Sequence, residues 1–155
     1  MTAQTGVMTT TALTTALPSR ELAKALRDAG LRWTPVPGDR FVIPQPELDG
    51  QVFTLSDMTI EAHEYPTGTV LGFNGTTEWA LDSVAMDDAL WLPREDQLRE
   101  LLGGTFLSLR RDGADLAVTT SDAAGTEQEF RAGTAVEAYG RALLALIRDA
   151  TARAS

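Results

Sequence analysis

Residues that turn or stop the chain recur so often between Thr34 and Arg131 that only short elements fit between them. Thr34-Pro35-Val36-Pro37-Gly38 comes first. Each Pro holds its predecessor in extended geometry, so no helix survives there. Pro66-Thr67-Gly68, Asn74-Gly75, Asp112-Gly113 and the stretch Ser121 to Gly125 follow. The pieces between are β-type runs: Phe41 to Ile43, Val52 to Leu55, Thr59 to Tyr65, Thr69 to Phe73, Thr76 to Leu81, Phe106 to Arg110, Leu116 to Thr120 and Thr126 to Arg131. Asn74-Gly75 between Phe73 and Thr76 is the strongest two-residue hairpin signal, because a type I′ turn wants positive φ at both positions. Strands joined this tightly pair antiparallel, which predicts meanders.

Three helices interrupt or flank these strands. The first spans about 18–29, with Leu22 and Leu26 one turn apart and Gly30 as a left-handed stop, onto which Leu31 folds back. The second spans about 93–102, opened by Pro93, with Glu95 and Asp96 at the positive end of its dipole and Leu98, Leu101 and Leu102 as its buried face. The third spans about 135–150. Thr134 and Glu137 read as a capping box, and Val136, Tyr139, Leu143, Leu146 and Ile147 form its stripe. The fold class is therefore α+β, antiparallel meander sheets with three helices. Residues 1–17 read as a Thr-rich flexible tail, 18–150 as a single α+β domain and 151–155 as a frayed end.

At 155 residues the chain is long enough to bury about 70% of the surface its unfolded form exposes. The absence of cysteine excludes disulfides, thiolate zinc sites and cysteine nucleophiles. The net charge is −9, and its distribution is uneven: between Arg40 and Arg94 there is no Lys or Arg, but nine acids from Glu47 to Asp88. Such a field repels phosphate backbones and anionic lipid, so neither nucleic acid nor membrane is an expected partner. It attracts a basic partner or a divalent cation, or serves only to keep the surface solvated. Without a basic n-region or a continuous apolar core, residues 1–17 do not read as a secretory signal, and a cytoplasmic location is expected.

Motifs that carry chemistry are sparse. A phosphate-cradling loop needs Gly-Lys-Ser/Thr, and the single lysine, Lys24, has no glycine before it. Gly72-Phe73-Asn74-Gly75 is a hairpin rather than a dinucleotide turn, and no serine sits in a Gly-x-Ser-x-Gly elbow. His63 is the only histidine. Strand alternation sets it on one face with Glu61 and Tyr65, which suits an oriented base or, equally, a polar exposed face. Asp82, Asp87 and Asp88, with Glu78 nearby, are the best oxygen ligands for a hard cation; Asp87-Asp88 before Ala-Leu-Trp-Leu also reads as a turn or a helix start. Trp79, Leu81 and Trp91 are the candidate interface residues, since tryptophan favours hot spots, though core and seam roles fit them too. No catalytic residue and no cofactor is expected.

Four segments carry a family likeness: Ser19-Arg20-Glu21-Leu22-Ala23, Gly38-Asp39-Arg40-Phe41-Val42-Ile43-Pro44, the run from Leu71 to Ser83, and Ala89-Leu90-Trp91-Leu92-Pro93-Arg94-Glu95-Asp96-Gln97-Leu98. Together they resemble a family of short uncharacterised proteins from GC-rich Gram-positive bacteria, over roughly residues 18–150. Some of these carry a pilus-assembly label borrowed from a larger ATPase, whose P-loop this chain lacks. The resemblance supports the fold outline and implies no site residues. The expected function is a non-enzymatic interaction module that forms a homodimer or binds another protein. A carboxylate- or metal-dependent enzyme and an accessory factor of pilus or secretion machinery are the alternatives.

Overall fold

A computed structural model describes residues 17–47, 50–55, 61–65, 68–72, 83–85 and 88–154. The described elements are three helices and three antiparallel three-stranded sheets, an α+β fold. They fall into two compact units, residues 1–32 with 93–155, and residues 33–92; the expected 18–150 domain spans both.

The first unit holds all three helices. In α1 (Arg20–Ala29), Ser19 caps the start by accepting from the Leu22 N–H. At its end Gly30, at φ +122°, donates to the Arg27 carbonyl and Leu31 to the Leu26 carbonyl, the paired bonds of a Schellman stop. α2 spans Glu95–Leu102, two residues later than Pro93, and the Gln97 side chain accepts from the Arg94 N–H. Leu98 and Leu102 are buried, but Leu101 is 43% exposed, against the expectation that it joins the buried face. The i, i+4 pair defines the stripe and leaves Leu101 beside it. α3 spans Ala135–Ala154 and continues past Ala150, where fraying is expected.

These helices cover one face of a sheet ordered β7-β8-β9: Phe106–Asp112, Asp115–Ser121 and Glu127–Ala132. Gly113, at φ +64°, turns the first hairpin. Asp122 shapes the second by accepting from the Ala124 and Thr126 N–H groups. The core joins Leu22, Leu26, Leu98, Leu102, Val118, Val136, Tyr139 and Leu143. α3 packs on β8, β9, α1 and α2. It meets α1 so closely that a Cβ on Gly140 would come within 2.4 Å of Leu22 Cδ2.

The second unit holds two sheets. In one, β1 (Arg40–Val42) lies between β2 (Phe53–Thr54) and β6 (Leu90–Leu92). The apolar run Ala89-Leu90-Trp91-Leu92 that follows Asp88 is the lead into and body of this last strand. Leu90 and Leu92 are buried, and Trp91 stands opposite Phe41. The other sheet is β3-β4-β5: Glu61–Tyr65, Gly68–Gly72 and Ser83–Ala85. Tyr65 pairs with Gly68, in keeping with a hairpin there. On the other side of β4, Gly72 pairs with Ser83. The expected two-residue turn at Asn74-Gly75 and the expected strand Thr76 to Leu81 lie outside the described residues. No helix among the described residues is long and apolar enough to cross a membrane.

Candidate functional site

The outward face of the β7-β8-β9 sheet is built from the alternate residues that the core does not use. Val118 faces the helices, opposite Leu109 and Phe130. Its neighbour Ala117 points the other way, with Arg110 opposite on β7 and Arg131 opposite on β9. Ala117 is nonetheless 0% exposed. A methyl group at the middle strand leaves room for longer side chains from both flanking strands to close over it. Arg110 donates to Glu129, Arg131 pairs with Asp112, and Arg131 Nε donates to Glu129 at 3.0 Å. The guanidinium of Arg131, ahead of that of Arg110, holds the Glu129 carboxyl below the usual glutamate range. The same carboxylate raises the pKa of Arg131.

Two arginines and two acids neutralise each other here, so the face presents alternating charge rather than a field. With these four groups engaged with one another, and Asp115 and Glu127 on the same face by alternation, it is better suited to matching another charged surface than to attacking a bond.

The two edges of this sheet differ. On β7 the register slips between Phe106 and Ser108, a bulge that leaves Leu107 48% exposed and blunts that edge. On β9 the register is unbroken from Glu127 to Ala132, and Glu127, Gln128, Glu129 and Arg131 are exposed. Among the described residues β9 pairs on one side only. Arg141 of α3 donates to the Arg131 carbonyl there.

In the second unit, Trp91 is half-buried and stacks on Trp33, ring centres 6.4 Å apart and 9° from parallel. Phe41 lies against Trp33 and Phe53 at 5.4 and 5.5 Å. The Trp33 indole donates to the buried Asp39 carboxylate at 2.8 Å, which also accepts from the Val36 N–H at 3.0 Å. That carboxylate thus fixes the Pro35–Gly38 loop. Trp91 Nε1 is buried with no acceptor among the described residues. Trp91 is accordingly a seam residue of its own unit that keeps part of its ring exposed. The anchoring role of Asp39 was not read from the sequence; its signal was an acid directly after a Pro-Gly loop and before a β run.

Of the other sequence candidates, Asp88 is exposed, and His63 lies on β3 opposite Val70. Glu78, Trp79, Leu81, Asp82 and Asp87 lie outside the described residues. Among the described residues no group of three or more His, Asp or Glu is placed to hold a metal ion. A shallow hollow where the β8–β9 turn meets α3, rimmed by Thr120, Asp122, Gln128 and Asp149 over Phe130 and Leu146, is too small for a ligand. No protein-family model, curated protein or solved structure matches this chain.

Proposed function

We propose that this protein is a non-enzymatic interaction module that works as a homo-oligomer, in its simplest form a homodimer. The observation that supports this most is the open, regular β9 edge beside a face of alternating charge. An exposed edge of this kind is a template for another strand. The chemistry of the chain points the same way, with one histidine, one lysine and no cysteine. The base-free stretch between Arg40 and Arg94 favours a basic protein over nucleic acid or anionic membrane as any further partner.

Light scattering after size exclusion tests the reading. The mass is expected to rise from 16.7 kDa towards twice that value as concentration increases. A mass that stays at the monomer value at the highest attainable concentration overturns it.

A further inference from the structure

We propose that two copies of the chain join through β9 (Glu127–Ala132), antiparallel and centred on Phe130, to make one six-stranded sheet. The inference rests on the homodimer reading and names its surface. β9 is the edge without a bulge. Its alternation restricts the register: Phe130 faces the helices while Glu129 and Arg131 face outward. A shift by a single residue would set the outward face of one copy against the core face of the other. Of the registers that keep the faces matched, centring on Glu129 sets two carboxylates opposite each other, and centring on Arg131 sets two guanidiniums opposite each other. Centring on Phe130 places Glu129 of each copy opposite Arg131 of its mate, twice over, and directly opposed unlike charges stabilise a ladder. The bond from Arg141 to the Arg131 carbonyl is compatible with this pairing, because a carbonyl oxygen has a second lone pair. A six-residue edge buries less than a standard interface, so the dimer is a concentration-dependent one.

The test uses the full-length variants E129R and R131E, alone and mixed, with far-UV circular dichroism to check that each is folded. In either variant alone, like charges face each other across the edge, and dimerisation is expected to weaken at least tenfold. In the equimolar mixture, the new arginine of one variant faces Arg131→Glu of the other, and the dimer is expected to return. A second readout avoids charge reversal. The chain has no cysteine of its own, so E129C and R131C should cross-link on oxidation when mixed, and neither should do so alone. If wild type dimerises but the mixtures neither recover nor cross-link, this edge is overturned while the homodimer stands. If wild type is monomeric throughout, both fall.

Discussion

Glu137 ends up serving a helix other than its own. The Thr134 hydroxyl accepts from the Glu137 N–H, the expected half of the capping box. The carboxylate, however, accepts from the N–H and hydroxyl of Ser19 at the start of α1. It therefore ties two helix starts together across 118 positions of sequence. Glu137→Ala should cost about 1 kcal/mol in urea unfolding, an ordinary hydrogen-bond contribution. Ser19→Ala in the same background should then cost less than it does alone, because the two changes remove one contact. Gly140 is a second contact site. Replacing a helical glycine by alanine normally gains about 1 kcal/mol, but the new methyl overlaps Leu22, and overpacking costs about 1–3 kcal/mol. Gly140→Ala is expected to destabilise, and Leu22→Ala should partly relieve the loss in a double-mutant cycle. Tyr139 is buried against Phe106, and burial raises its pKa, with the Glu95 charge adding to the effect. The unfolded tyrosine ionises first, so stability is full below about pH 10 and falls as pH rises beyond it. Tyr139→Phe should flatten that alkaline limb in melts recorded against pH.

Among the elements, the β7-β8-β9 sheet has its own pH response. Glu129 is held below its ordinary range chiefly by Arg131, then Arg110. Its contribution is therefore present above the unfolded glutamate pKa and is lost as pH falls below about 4. Glu129→Gln should make the acid limb of the melting curve shallower. Salt should weaken the same contribution, because these groups are exposed. Where local chemistry decides an element, sequence and structure agree. Gly30 stops α1, Asp112-Gly113 turns β7 into β8, and Val136, Tyr139 and Leu143 bury the stripe of α3. Where distant partners decide, local reading misses. Leu90–Leu92 becomes a strand because Arg40–Val42 offers it a ladder, and Ser83–Ala85 becomes one because β4 does. The charged bridge over Ala117 was illegible for the same reason: its arginines lie 21 positions apart and meet only through the pairing of two strands with a third.

For the whole molecule, the two units carry different reporters. Trp33, Trp79 and Trp91 all belong to residues 33–92, whereas α1, α2 and α3 belong to the other unit. The core of the helical unit and the smaller cluster of Phe41, Ile43, Leu55 and Ala89 share no residue. Tryptophan fluorescence and helical circular dichroism should therefore give separate urea transitions, with fluorescence changing at the lower concentration. Coincident curves would instead show one cooperative unit. The pairing of Arg40 with Leu92 has a consequence for how this chain can change. The path into residues 40–92 and the path out of them lie on adjacent strands, about 5 Å apart. The segment is thus a cassette with its ends at one doorway. It can be lengthened, exchanged or excised there, and the flanking chain needs only a short linker to rejoin.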